Sequence, residues 1–596
     1  MSFTIDELTT RLGNVPRPEH PRPDRLREDW LNLIGIWTFA WDDEDRGRAE
    51  GLSDGRDLRL PILVPFCPES ALSGINDEEL HTTCWYTRSF DLPRNLQGRR
   101  LLLHFGAVDY EAEVWLNGEP LGTHIGGYDS FRFDVTALVK PDGNRLSVRV
   151  HDDHTQDKPR GKQASERFPS GCLYMRVTGI WQTVWLEAVG DSYVADWALT
   201  ADMQGRVSLK AEIEGGAGQQ LALRLLLDGQ EIACDRAEVR EGQAALDFTA
   251  PEPRLWSPQS PTLYDVELVL LDAAGQQLDK VSTYLGFRTI ETVGNKTLLN
   301  GEEFFLVSAL DQGYNPEGLY TPPTDEFQRD DVLWAKRYGL NNIRKHQLVA
   351  EPRFLYWCDK LGLTVWGEMA DWGADIVGET EGFLEQWSAC VRRDLNHPCI
   401  VTWVPTNERH SPKTPEHYLA KERMYRETKA LDPTRPVIDT SGYCHTVTDI
   451  CDLHVNPADG KACREWWEGW RKSIAETANF PAYPDRPTYD PGYQHHGQPV
   501  VFSETGNWWI RTLPTSGPWQ NYGYGPVETV EDFLALYRDF FLALMSEPDC
   551  AGFSYVQLYD VEGEVNGYLT YDRQPKMPAE AIAGIHEEGL ARRNRG

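Results

Sequence analysis

Near residue 291 the texture of the chain changes, and one unit begins to recur: a short apolar strand, a loop, then an amphipathic helix. Repetition of that unit builds a layer of parallel strands covered by helices, and eight copies close a (β/α)8 barrel. Strand-like segments fall near 304–310, 340–346, 362–368, 400–407, 436–440, 449–455, 499–504 and 551–558. The helices between them carry the required period. Over 529–545, Phe533, Leu536, Tyr537, Phe540 and Leu544 recur at spacings of three and four, and Phe354, Cys358 and Leu361 form a stripe ahead of Gly362. A barrel over 291–596 is therefore predicted.

The first 190 residues read as all-β, with short alternating strands between turn residues. Ala112 to Leu116 alternates and is followed by the hairpin signal Asn117-Gly118. Gly179 to Glu187 has the same texture. Between them, Asp152 to Gly171 is a polar stretch containing Arg160-Gly161-Lys162-Gln163 and reads as a long loop, the kind of segment that often carries function. Residues 191–290 continue as strands at sandwich-like spacing, which suits an immunoglobulin-like module. Three domains are thus expected, at 1–190, 191–290 and 291–596.

Composition excludes several classes of function. The 59 Lys and Arg against 92 Asp and Glu give a formal charge of −33, so nucleic acid and other polyanions are poor partners. No apolar run approaches the 18 or more residues of a membrane span, and the N-terminal residues have no signal-peptide pattern, so a cytoplasmic protein without membrane contact is expected. The 11 cysteines are odd in number and lack a CxxC pair, as reduced buried thiols would be. Cys444, Cys451, Cys463, His445 and His454 match no zinc spacing, so no metal is assigned. Neither GxGxxG opening a helix nor GxxxxGK[ST] occurs, and no organic cofactor is expected.

Two strand endings carry the chemistry: Thr402-Trp403-Val404-Pro405-Thr406-Asn407-Glu408 and Val500-Val501-Phe502-Ser503-Glu504. Residues at the C-terminal ends of barrel strands line the one face where active sites form, so both glutamates face the same bound molecule. A carboxyl pair flanking a sugar is glycosidase chemistry. Glu408 is assigned as acid/base and Glu504 as nucleophile, with the Asn407 amide beside them where a sugar hydroxyl would lie.

These residues resemble glycoside hydrolase family 2, the family of β-galactosidases and β-glucuronidases, over essentially the whole chain. The resemblance is carried by Val64-Pro65-Phe66-Cys67-Pro68-Glu69-Ser70, Thr178-Gly179-Ile180-Trp181-Gln182, Asp311-Gln312-Gly313-Tyr314, Ile343-Arg344-Lys345-His346, Asn396-His397-Pro398, Asn407-Glu408 and Ser503-Glu504. It implies a β jelly-roll domain, an immunoglobulin-like sandwich and a catalytic TIM barrel, and it places acid/base and nucleophile at Glu408 and Glu504. Arg344 matches an arginine that lies beneath the nucleophile and keeps it ionised. His346, Asp311, Gln312, Asp452 and His454 become candidates for contacts to the sugar, and Glu368 for support behind them. A homo-oligomer is also implied by the resemblance alone.

The chain departs from the family at informative places. β-Glucuronidases carry Asn-x-Lys to read the sugar carboxylate, just before Gly-x-x-Thr-x-Asp-Arg. Here the latter is Gly567-Tyr568-Leu569-Thr570-Tyr571-Asp572-Arg573, but Glu564-Val565-Asn566 precedes it, and an acid there repels a uronate. The tyrosine usual after the sixth strand is missing from Val455-Asn456-Pro457, leaving Tyr443 or Asn456 as substitutes. The acid loop reads Glu408-Arg409-His410-Ser411, and Asn507-Trp508-Trp509 follows Glu504, with Trp508 or Trp509 a candidate for stacking on the sugar and the other packed. The expected activity is exo-acting, retaining hydrolysis of a terminal β-galactoside-like sugar. A β-glucoside, arabinoside or galactofuranoside, transglycosylation, and a binding protein without turnover are the alternatives, with a β-glucuronide behind them.

Overall fold

The computed structural model describes residues 3–595, apart from 217, 411, 484–485, 514–522 and 524. In the first domain a six-stranded and a four-stranded antiparallel sheet enclose a core that includes Trp37, Tyr86, Phe105, Val148 and Leu186. Its clearest hairpin joins Glu111–Leu116 to Glu119–Ile125. Asn117 and Gly118 at the turn have φ of 55° and 86°, the paired left-handed conformation that a two-residue hairpin turn demands. The second domain packs a three-stranded sheet, from Tyr193–Ala201, Arg206–Glu214 and Gln243–Thr249, against a four-stranded one over a Val- and Leu-rich core.

In the barrel the parallel strands are β1 (Leu306–Asp311), β2 (Asn342–Lys345), β3 (Thr364–Glu368), β4 (Ile400–Val404), β5 (Cys451–His454), β6 (Val500–Gly506) and β7 (Cys550–Val556). Between them lie α1 (Asp325–Arg337), α2 (Pro352–Leu361), α3 (Thr380–Asp394), α4 (Pro415–Leu431), α5 (Gly460–Thr477) and α6 (Val530–Met545), and α7 (Ala579–Arg593) follows β7. The sheet order is β4-β3-β2-β1-β7-β6-β5, so seven of the eight predicted strands form a continuous ladder among the described residues. The eighth, at 436–440, closes the gap between β4 and β5 with isolated bridges only, Trp403 to Val437 and Asn407 to Ser441. Pro436 has no N–H to give a ladder there, while its carbonyl accepts from Trp403 N at 3.1 Å.

The segment 152–178 leaves the first domain and lies across the barrel mouth. Gly161 N donates to Ala370 O at 2.7 Å, and Tyr314 Oη donates to Met175 O at 2.9 Å. Met175 N donates to Glu562 Oε1 at 3.0 Å, and Tyr174 Oη donates to the Glu564 carboxylate. The loop therefore packs against the ends of β1, β3 and β7.

Candidate active site

Glu408 stands four residues beyond β4 with φ of 53°, left-handed backbone that a glutamate holds only under constraint. The constraint is visible on both sides of it. Asn407 N donates to Asp371 Oδ2 at 3.1 Å, and Arg409 turns back to pair with the same buried carboxylate, its Nε 2.8 Å from Asp371 Oδ2. Glu408 N also donates to Ser441 O at 2.8 Å. The Arg409 that departs from the family pattern thus locks the acid loop, while Ser411 lies outside the described residues.

Glu504 sits within β6, where the pairing with β7 and with β5 slips register. A bulge re-aims the side chain of an edge-on residue, and here it turns Glu504 into the mouth. Arg344, fully buried on β2, lies under it. Its Nη1 is 3.1 Å from Glu504 Oε1 and 3.0 Å from Ser503 O, its Nε and Nη2 grip Glu368 at 2.6 and 3.2 Å, and Nη2 donates to Asn407 Oδ1 at 2.7 Å. One guanidinium therefore joins both strand endings. Burial opposes its charge, but Glu368 and Glu504 more than offset that and keep it protonated. His346 puts Nδ1 3.1 Å from Glu368 Oε1 and Nε2 3.4 Å from Glu504 Oε1. Burial, then Arg344 and Lys162, hold this imidazole neutral, so Nδ1–H donates to Glu368 and Nε2 is left as an acceptor.

His454, at the end of β5, stands between the two glutamates. Its Nδ1 is 2.7 Å from Glu408 Oε1, and its Nε2 is 3.4 Å from Glu504 Oε1 and 3.1 Å from both Arg344 Nη1 and Ser441 Oγ. One oxygen of each glutamate and one ring nitrogen of His454 all lie within 4.8 Å of one another. Burial pushes the Glu408 carboxyl up, but the His454 bond and charge, and then Tyr443, hold it well below the usual range. Glu504 is pushed up by burial, against His454 and Arg344 and with the help of Glu408. Tyr443 hydrogen-bonds Glu408, while His454 stands 3.4 Å from Glu504.

Other predicted site residues lie elsewhere. Trp508 is a correction: it is 5% exposed and packs edge-on against Phe540 of α6 at 5.3 Å between centroids, with Phe533, Phe541 and Tyr555 around it. Left-handed Gly506 and Asn507, at φ of 93° and 54°, swing the chain so that Trp508 enters the core, which leaves no face for a sugar. Asp311 is buried at the end of β1. Its Oδ1 accepts from Lys345 at 3.0 Å, Gly313 N at 2.8 Å and the Tyr559 hydroxyl, so it braces the end of β1; Gln312 beside it is buried. Asp452 accepts from Ser441 Oγ behind His454. His445 is held between Asp439 Oδ1 and Asp452 O, both at 2.8 Å, and Cys444, Cys451 and Cys463 are buried.

Among the described residues, Glu408, His454 and Glu504 form one of two groups with spacing for a metal ion; Asp359, His397 and Cys399 form the other. In the first, the Arg344 guanidinium lies 3.1 Å from both Glu504 and His454 and already supplies the positive charge. In the second, Asp359 is occupied by Cys399 N at 2.8 Å, His397 Nδ1 at 2.6 Å and Tyr284 Oη at 2.9 Å, as a structural knot would be.

This fold, with two glutamates and an arginine converging at the mouth of its barrel, is that of a multidomain glycosidase. Residues 69–200 match the glycosyl hydrolase 2 galactose-binding domain-like family, 192–288 glycosyl hydrolases family 2, and 323–506 the family 2 TIM barrel domain, so the chain belongs to glycosyl hydrolase family 2. It is 31% identical to a putative beta-glucuronidase of Formosa agariphila over 60% of this chain and 34% of that protein. Identity is 25% to a beta-glucuronidase of Paenibacillus borealis, over 70% and 73% of the two chains. It is 29% to a beta-galactosidase of Thermoanaerobacter pseudethanolicus, over 60% and 49%. The chain thus spans about a third and about half of the length of the Formosa and Thermoanaerobacter proteins. A Bifidobacterium dentium beta-glucuronidase complexed with coumarin-3-O-glucuronide superposes with a TM-score of 0.78 at 22% identity, covering 95% of this chain and 98% of that one.

Proposed function

We propose that the protein is an exo-acting, retaining β-glycosidase. The observation that carries this reading is the convergence of Glu408, His454 and Glu504 within 4.8 Å. Retaining enzymes hold their two carboxyl groups about 5–5.5 Å apart, whereas inverting ones leave about 6.5–9.5 Å for a water. Glu504 attacks the anomeric carbon as the glycosidic C–O bond breaks, and the proton of Glu408 goes to the leaving oxygen. Water then opens the glycosyl ester, giving its proton back to Glu408.

The reaction needs the proton on Glu408 and the charge on Glu504, yet the sugar-free site leans the other way. His454 touches both carboxylates, so a proton can pass between them without change of net charge. A glycosidic oxygen entering between Glu408 and His454 breaks their 2.7 Å bond. That removes the strongest influence holding Glu408 down and leaves burial to raise it. Arg344 remains on Glu504 to keep the attacking oxygen anionic.

The terminal sugar is read here as uncharged and β-galactoside-like. Relatives named as glucuronidases favour a uronide instead, while the chain puts Glu564 and Asn566 where the Asn-x-Lys of that specificity would stand. The eleven free thiols among the described residues fit a reducing, cytoplasmic setting, and no described helix is long and apolar enough to cross a membrane. A panel of aryl β-galactoside, β-glucoside, β-glucuronide, arabinoside and β-galactofuranoside, turned over by wild type and Glu504→Ala, tests the proposal. One sugar should dominate, and its signal should disappear in the variant; a 2-deoxy-2-fluoro derivative of it should label Glu504. Turnover that survives Glu504→Ala would sink the assignment.

A further inference from the structure

The barrel mouth holds a cation that the barrel does not encode. Lys162, on the long loop of the first domain, is buried, with its Nζ 3.7 Å from Glu564 Oε2. That separation makes an ion pair but exceeds the 2.7–3.2 Å of a hydrogen bond. Among the described residues the ammonium makes no hydrogen bond, and it stands 5.6 Å from the centroid of the Tyr174 ring. Glu564 is buried as well. Tyr174 Oη donates to its Oε2 and Asn566 Nδ2 to its Oε1 at 3.1 Å, which fills two of about four acceptor positions. A sugar hydroxyl can accept from the ammonium and donate to the carboxylate.

Their place relative to the chemistry is fixed by the backbone. Gly161, at φ of 58°, lies so close to β2 that a Cβ would stand 2.2 Å from Gln347 O, one residue beyond His346. Asn566 donates in turn to Asn507, three residues past Glu504. Burial pulls the Lys162 ammonium down, but Glu564, then Cys172, Glu504 and Glu408 outweigh it, so both proposed catalytic carboxylates lie within its field.

We infer that Lys162 and Glu564 form a donor–acceptor clamp on the hydroxyls of an uncharged terminal sugar, the lysine being delivered by the first domain. The inference rests on the glycosidase reading above. The sign of the site argues against a carboxylate: Glu368, Glu504 and Glu564 already face two permanent cations, Arg344 and Lys162, and the charge of Lys162 is matched by Glu564. A neutral ligand pairs with both groups without adding a further anion.

The test compares wild type, Lys162→Met, Lys162→Arg and Glu564→Gln on the same aryl glycosides and on monodeoxy versions of the best one. Lys162→Met should lower kcat/KM for the neutral glycoside about 10- to 100-fold, the range for losing a charged hydrogen bond. The loss should shrink below about threefold on the one deoxy sugar that lacks the hydroxyl the lysine contacts, which a folding defect would not do. Label on Glu504 from the fluoro-sugar keeps the glycosidase reading separate. If no turnover or label is seen, binding of galactose, glucose and arabinose to Glu504→Gln, with and without Lys162→Met, decides the clamp alone. Should Lys162→Met fail to fold, Lys162→Arg and Glu564→Gln must show the same sugar-dependent loss. Unchanged kcat/KM or binding in the variants, or a wild-type preference for β-glucuronide that Lys162→Met removes, overturns the clamp.

Discussion

At the scale of single residues, His454 decides how the two glutamates share protons. It lowers Glu408 through the 2.7 Å bond and lowers Glu504 through its charge, so its removal raises both. The two carboxyls titrate as a pair, and a kcat/KM profile reports the two steps of that pair in the free enzyme. His454→Gln is therefore expected to move both limbs of a kcat/KM profile to higher pH and to lower the maximum. A bell that stays in place would remove His454 from the proton balance. Gly442 makes the position possible: at φ of 111°, a Cβ on it would stand 2.8 Å from His454 Nδ1. Gly442→Ala should push the ring off Glu408 and shift the bell in the same direction.

At the scale of elements, the barrel uses irregularity where it needs aim. The slip in β6 and β5 turns Glu504 and His454 toward each other, and the left-handed turn after β4 is held by Asp371 and Arg409. Asp371→Ala would strand a buried guanidinium, a loss of about 3–5 kcal/mol for a broken buried pair. Thermal unfolding should register that loss, and kcat should fall more than KM changes, because Glu408 is mis-set rather than the sugar released. Trp508 provides the contrast. Trp508→Ala should cost about 3–5 kcal/mol as a core deletion and leave the KM for the preferred glycoside within about twofold.

At the scale of the whole molecule, the first domain and the barrel are joined over the site itself. Burial raises the Glu562 carboxyl to about 8, where it accepts Met175 N of the docked loop. The folded state thus binds this proton more tightly than the unfolded chain, whose glutamate titrates near 4.5. The stability linked to it is complete below about pH 4.5 and is lost as pH rises toward 8. Glu562→Gln keeps an acceptor for Met175 and cannot ionise, so the fall in thermal midpoint between pH 5 and 8 should be smaller than in wild type. An equal fall in both proteins would show that Glu562 does not govern the docking of the loop.

Local pattern was enough for what depends on period and on single strands: seven barrel strands, the Asn117-Gly118 hairpin, and a carboxylate at the end of each of two strands. Arg344 and Glu368 were reached through the family resemblance, which places an arginine on the second strand and a glutamate at the end of the third. Sequence fell short where an outcome depends on groups far apart in the chain. Trp508 reads as an entrance aromatic until the backbone turns at Gly506 and Asn507 and gives it to α6. His454 gains its role only because β5 and β6 slip, and Asp311 loses its own to Lys345 and Tyr559. Lys162 and Glu564 stand some 400 residues apart, and no local periodicity relates them. Their meeting is decided by how one domain's loop packs on another's strand ends, since charge and hydrogen bonding act through space rather than along the chain.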